Sequence, residues 1–536
     1  MAANGLFNRG LFKQAAQEYD EFLAQYPTHA QATAARYWMA VCQYRVREFD
    51  KAAEQLRRVV QDQKFAQRDE ALAVLGHCEL SQKHYDEAVA AFDELAGKYP
   101  DSKQAEPATL NRGQALYLAA KYADAAKGCQ AYLDKYPNGT SRADALYFLA
   151  LSQRGLKQND AAVGTLRELT GKYSDSARQV DALLVMGQAL EAEGKLQPAI
   201  EAYRQMLAAA PEPRKADAHY SLGVALYKAG SYVPAAAEFS TLVSEFPGST
   251  FAKPARLQLG LAQLEGKKTG DARNTLNEVV RESPDLAADA RYALAKCDIT
   301  DEQYDHARRI LEEFMVVQPR PANFVQAAID HAFCTMKLQQ FPQAADELET
   351  FRAQHADAPQ LAQATYWQAF CLHKLGKYDQ SHDLCQQAAK LKAPDIAQAN
   401  TELDAEDLFL LKKYAEAGKQ FAALARTADD ARRLRFTFRQ GQCEYFAGNY
   451  AKAVELLHPV ASDAKLGEND ELQQVNLLLG DALLQQGKAA EAIEPLKRYL
   501  AVAKTDRPQA QYTLGVAELK SNQPEAARQS FDQAGQ

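Results

Sequence analysis

The residues of this 536-residue chain with chemistry to offer are eight cysteines, ten histidines and a few clusters of charge. One stretch gathers Cys371, His373, His382 and Cys385, ligand types that suit zinc. Cys371 and His373 are two residues apart, which on a helix turns them to nearly opposite sides, so both do not face one ion. Other histidines (His29, His77, His219, His306, His331, His458) fall in no HExxH or comparable spacing. The segment GLAQLEGKKTG (260–270) approaches a phosphate-binding loop. Five residues separate Gly260 from Gly266 where four are needed, and Lys267 is followed by Lys268 rather than Ser or Thr. No G-x-S-x-G occurs, and no carboxylate pair has an evident catalytic spacing. The expectation is a protein without catalytic residues, metal or cofactor.

The elements that position these residues follow from a repeat that fills the chain. HYDEAVAAFDELAGKYP (84–100), KYADAAKGCQAYLDKYP (121–137) and SYVPAAAEFSTLVSEFP (231–247) share one template. Each unit is anchored on the residue that opens its second helix: Phe12, Phe49, Tyr85, Tyr122, Asn159, Leu196, Tyr232, Thr269, Tyr304, Phe341, Tyr378, Tyr414, Tyr450, Ala489 and Pro524. The 512 residues from first to last anchor make fourteen steps with a mean of 36.6. Three residues after the anchor stands Ala in fourteen units and Ser381 in the other; nine before it stands Gly or Ala in all fifteen. Small residues at both places let two antiparallel helices approach closely. After Tyr85 the apolar Ala88, Val89, Phe92 and Leu95 recur at helical steps. Pro27, Pro100, Pro137, Pro211, Pro247, Pro284 and Pro319 lie fifteen residues after their anchors, where a helix must stop. Pro198, Pro234 and Pro342 fall in the first turn of a second helix, where a missing N–H costs nothing.

This pattern resembles the tetratricopeptide repeat over essentially the whole chain. Units of 36–37 residues ending in YP or FP, such as EYDEFLAQYP (18–27) followed by AARYWMA (34–40), are similar to the long-period repeats of bacterial cell-envelope proteins. The Tol-Pal coordinating protein and the outer-membrane assembly lipoprotein BamD are of this type. The resemblance implies an all-α solenoid, a right-handed superhelix of about fifteen antiparallel helix pairs running as one body over residues 1–536. It also implies a non-enzymatic scaffold for partner proteins or peptides, in the periplasm or associated with the outer membrane.

In such solenoids the first helix of each pair lines the inner wall. Three residues before the small Gly or Ala stand Tyr37, Tyr147, Tyr220, Tyr292, Tyr366, Phe438 and Tyr512; one residue after it come Phe333 and Phe370. A wall of tyrosine and aliphatic side chains suits an extended or helical peptide; equally, these tyrosines suit packing between neighbouring units. Tetratricopeptide domains that clamp a chaperone's terminal carboxylate carry Lys and Asn there, so a chaperone-tail adaptor is not expected. Near residue 400 the polarity changes. Glu402 and Glu406 take the inner positions of one unit, Asp407 takes a place used elsewhere by Cys or Ala, and the next first helix brings Arg435 and Arg439. This reads either as a recognition pocket for carboxylate or phosphate groups or as an ion-pair ladder between units. Asp407, in a core position, needs a partner, and Arg435 or Arg439 is the expected one.

Six cysteines (Cys42, Cys78, Cys297, Cys334, Cys371, Cys443) lie two residues after the small position, and Cys129 and Cys385 lie seven after an anchor. Such register points to buried small hydrophobes rather than disulfides. Two irregularities stand out. The first unit looks truncated, since its small residue is Ala3; without polar caps the chain is expected to be cut from something longer or to dock its ends. The step from Tyr450 to Ala489 is the longest and holds Pro459 and the run SDAKLGEND (462–470), so a shortened helix and a loop are expected; Pro495 should kink its helix.

A net charge of −8 argues against nucleic acid as the main partner. No run of about eighteen apolar residues exists to span a bilayer. The opening MAANGLFNRG has no basic stretch and apolar core. A cytoplasmic assembly scaffold and a lattice protein that self-associates through its ends remain the alternatives.

Overall fold

The structure, a computed structural model, describes residues 2–317, 319–463, 472–503 and 506–535, with only the backbone at Ala431. Among the described residues it contains thirty helices and no strand. They are α1 (Ala2–Asn8), α2 (Phe12–Gln25), α3 (Ala32–Arg45), α4 (Phe49–Val59), α5 (Arg68–Ser81), α6 (Tyr85–Lys98), α7 (Ala105–Leu118), α8 (Tyr122–Lys135), α9 (Arg142–Gly155), α10 (Asn159–Lys172), α11 (Gln179–Ala192), α12 (Leu196–Ala209), α13 (Glu212–Lys228), α14 (Tyr232–Glu245), α15 (Ala252–Glu265), α16 (Thr269–Glu282), α17 (Ala287–Thr300), α18 (Tyr304–Met315), α19 (Phe324–Lys337), α20 (Phe341–Gln354), α21 (Leu361–Lys374), α22 (Tyr378–Lys390), α23 (Pro394–Leu410), α24 (Tyr414–Thr427), α25 (Asp430–Phe446), α26 (Tyr450–Ala461), α27 (Val475–Gln485), α28 (Ala489–Val502), α29 (Arg507–Lys520) and α30 (Pro524–Ala534). All fifteen anchors open an even-numbered helix. The chain forms two compact units, residues 1–275 and 276–536.

Each hairpin is built the same way. The residue two before every anchor has positive φ, in six turns Gly (Gly10, Gly194, Gly230, Gly376, Gly448, Gly487) and in nine another residue, as at Ala120, Lys157 and Glu302. This left-handed residue ends the odd helix: at Lys83 (φ 62) the next amide, of His84, reverses to bond the Glu79 carbonyl at 2.9 Å. At the other end the prolines stop the even helices, α6 at Lys98 before Pro100 and α14 at Glu245 before Pro247. Arginines at the start of several odd helices then bond the carbonyls left over there. Arg68 donates to the Val60 carbonyl at 2.7 Å, Arg142 to that of Leu133 at 2.7 Å and Arg507 to that of Leu500 at 2.6 Å.

The close approach within a hairpin pairs the small residue with the side chain seven after the anchor, not mainly with the Ala three after it. A Cβ on Gly76 would stand 2.5 Å from the Phe92 ring, on Gly187 2.3 Å from Tyr203, and on Gly113 2.7 Å from Cys129 Sγ. Ring and cysteine therefore occupy the space a methyl would fill. All eight cysteines are buried, with burial pushing the Cys42 thiol up to about 11 and those of Cys78 and Cys129 up to about 12. Pro459 lies inside α26, which at 12 residues is shorter than the usual 14. The run at 464–470 lies outside the described residues. α28 continues through Pro495 to Val502.

Beyond their hairpin partners, successive odd-numbered helices touch one another: α3 and α5, α7 and α9, and α11 and α13 in the first unit, and α19 and α21, α21 and α23, and α25 and α27 in the second. No two even-numbered helices meet as extensively among the described residues. Within each unit the odd-numbered helices therefore crowd the inner side. No described helix is long and apolar enough to cross a membrane.

Candidate protein-binding face

The inner side is built from odd-helix residues three before and one after the small residue, which lie one helical turn apart on the same face. In the first unit Tyr147 and Tyr220 are partly exposed. The Arg178 guanidinium lies 5.0 Å over the Tyr147 ring, and Tyr220 stacks on Phe251 at 4.9 Å. In the second unit Tyr292, Phe333, Tyr366 and Phe370 are partly exposed. Tyr292 donates its hydroxyl proton to Asp330 at 2.8 Å, Phe333 lies 5.0 Å from Trp367, and Lys374 sits 5.2 Å from the Phe370 ring centre. Tyr512 is 55% exposed, beside Phe531.

Two of the expected residues are not accessible. Tyr37 is 4% exposed, wedged between Trp38 and Phe65 with its hydroxyl donating to Glu70 at 2.9 Å. Phe438, 3% exposed, belongs to the core around Leu457 and Leu479. Both tie one unit of the repeat to the next, because the residues they meet stand about one repeat further on or in the adjoining helix.

The charged region is laid out as pairs between neighbouring odd helices. Arg435 meets Glu402 at 2.9 Å, and Arg439 meets Glu406 through Nε at 3.0 Å. Arg439 also donates to Gln442 at 2.6 Å and covers the Phe409 ring at 4.1 Å. These contacts clamp α23 to α25. The expected partner of Asp407 is corrected. Fully buried, it takes the His373 ring, with Nδ1 2.7 Å from Oδ1, and its Oδ2 has no hydrogen-bond partner. Asp404, 3% exposed, is held by His382 Nδ1 at 2.5 Å, Gln386 at 2.8 Å and Gln420 at 2.5 Å. His373 and His382 thus go to carboxylates, while Cys371 and Cys385 are buried among apolar neighbours. Among the described residues no three His, Cys, Asp or Glu are placed to hold a metal ion. Residues 260–265 are helical, as the end of α15, so no phosphate loop forms there.

The sequence register alone did not disclose these His–Asp pairs. The signal was available: His373 and Asp407 are 34 residues apart, nearly one repeat, as are Arg178 and Asp144 (2.6 Å) and Arg214 and Asp181 (2.9 Å; 33 apart).

Two tetratricopeptide-repeat profiles match the sequence, one over residues 1–66, 184–250, 336–396 and 474–536 and the other over 254–285, together more than half of the chain. The chain belongs to the tetratricopeptide-repeat family. A profile described as outer membrane lipoprotein matches residues 65–192 of this repeat protein. No curated protein matches the sequence. Solved structures similar to the repeat protein include the APC/C hetero-tetramer Cut9–Hcn1, 13% identical with a TM-score of 0.32 and covering 92% of this chain and 98% of that one. Another is the MamA RS-1 ArsTM double mutant, 19% identical with a TM-score of 0.29, covering 33% of this chain and 93% of that one.

Proposed function

We propose that this tetratricopeptide-repeat protein is a non-enzymatic scaffold that holds partner proteins by a peptide segment laid along the inner, odd-helix side. The observation that carries the reading is the row of partly exposed rings there, Tyr147 and Tyr220 in the first unit and Tyr292, Phe333, Tyr366 and Phe370 in the second. Each of these side chains is partly open while packed on its neighbours, so little conformational freedom is lost on binding. The match of residues 65–192 to an outer membrane lipoprotein profile supports work in the bacterial envelope, with a cytoplasmic scaffold as the alternative. Cell fractionation separates the two.

The binding reading is tested by Tyr147→Ala with Tyr220→Ala, and separately by Phe333→Ala with Phe370→Ala. Capture of the native partner should be lost in at least one double variant while the helical circular dichroism is kept. Full capture by both, with helicity intact, would sink the inner side as the binding surface.

A further inference from the structure

The last residue of each odd-numbered helix and the three-residue turn after it form fifteen four-residue segments. These hold 17 of the chain's Lys and Arg but only five of its Asp and Glu. The chain as a whole has 62 basic against 70 acidic residues, so the turns carry +12 and everything else −20. Helix dipoles do not explain the bias. An odd-helix C-terminus favours cations, but the even helix begins at the very next residue, and its N-terminus favours anions.

We propose that the turn edge of the second unit between residues 337 and 449 is a second protein-binding surface, made for an acidic peptide segment that also carries aromatic or aliphatic side chains. Four consecutive turns there bring Lys337, Lys374, Lys377, Lys412 and Lys413 and no acidic residue. All five lysines are exposed. In the first unit two turn lysines are neutralised by an acid one residue after the preceding anchor, Lys121 by Asp86 at 2.7 Å and Lys195 by Asp160 at 2.6 Å. For Lys377 that place is Pro342 and for Lys413 it is Asp379, yet none of the five lysines has an ion-pair partner among the described residues. Two of the lysines instead lie near rings: Lys337 is 5.7 Å from the centre of Phe333 and Lys374 is 5.2 Å from that of Phe370.

Apolar surface is interleaved with this charge. Leu410 is 44% and Phe446 48% exposed. Phe446 stacks on Tyr414 at 5.5 Å and meets Phe409 edge-on at 5.8 Å. A ring laid flat in this way offers a face for another side chain, whereas insertion into a bilayer calls for rings that protrude. The acidic balance of the remaining chain repels polyanions the size of a nucleic acid. A short acidic, aromatic-bearing segment matches both the charge and the flat rings.

The probe is a fluorescein-labelled peptide of four Glu-Glu-Phe triplets, with Lys-Lys-Phe triplets, phosphatidylglycerol vesicles and oligothymidine as the other arms, all against the full chain. The acidic peptide should bind, more weakly as salt rises. Its Kd should increase about tenfold or more in Lys412→Glu with Lys413→Glu and in Lys374→Glu with Lys377→Glu, and several-fold in Phe446→Ala. The corresponding Gln variants should fall in between and melt as the parent does. Tyr147→Ala with Tyr220→Ala should bind the probe normally, which separates this surface from the inner side of the first unit. The proposal is overturned if the acidic peptide does not bind, if charge reversal leaves its Kd unchanged, or if vesicles or oligothymidine bind better.

Discussion

At Gly187 a methyl group would stand 2.3 Å from the ring of Tyr203, which is itself only 2% exposed. Gly187→Ala should therefore cost about 1–3 kcal/mol through overpacking. Gly164→Ala, on an exposed helical surface with nothing within 4 Å, should stabilise by about 0.5–1 kcal/mol; urea titrations of the two variants should move in opposite directions. A water-soluble disulfide reagent should find no reactive thiol in the native protein and eight after denaturation, because all eight thiols are buried out of its reach. His331 supplies a pH signal. Burial opposes its charge, but Glu347 at 3.1 Å and Glu312 at 3.2 Å outweigh that and hold the imidazole above its ordinary 6.5. Burial likewise opposes charge on Glu347, yet His331, Gln343 and Thr335 hold it below its ordinary 4.5. Arg308, 3.9 Å from Glu312, also faces the cluster. The imidazole stabilises fully below pH 6.5 and loses that effect as pH rises through its folded value; the carboxylate stabilises above 4.5 and loses it as pH falls. Thermal melts should thus fall between pH 6 and pH 9 in the parent, and fall less in His331→Gln. At this scale the sequence register placed the cysteines and the small residues. It missed what each small residue packs against, and it missed that Tyr37 and Phe438 are covered, because coverage depends on the residues a repeat away.

Helix starts were legible because each anchor begins an apolar period, and Pro or a small residue marks where the helix ends. Left-handed turn residues were only partly legible. Glycine discloses six of them, but the backbone imposes the same conformation at nine others, where Ala120 has φ 57 and Glu302 φ 59. A side chain at positive φ is strained, while glycine adopts that conformation freely. Ala120→Gly and Glu302→Gly should each stabilise the fold by about 0.5–1 kcal/mol, net of the greater freedom glycine gives the unfolded chain. Loss of stability in both would mean that the turn is held by side-chain contacts rather than by the backbone. Pro459 illustrates a local rule yielding to its surroundings. α26 runs through it to Ala461, and Val460, 1% exposed, is part of the core beyond it.

Within each unit, hairpins with one buried face lean on their neighbours, so that Tyr203 and Leu166, for example, lie in a core shared by several hairpins. Stacking also leaves two kinds of exposed surface in each unit, the odd-helix side with its fixed rings and the turn edge with its lysines. Periodicity reveals the stack directly. It does not distinguish an open ring from a covered one, since Tyr37 and Tyr220 occupy the same register and differ in burial. Photo-crosslinking in the native cell tests the central claim most directly, with a photoreactive phenylalanine placed at Tyr147 or Tyr220 on the inner side and at Gly164 or Gln205 on the even-helix side. Partner adducts are expected from positions 147 and 220 and none from 164 and 205. Adducts from the even-helix positions alone would contradict that claim.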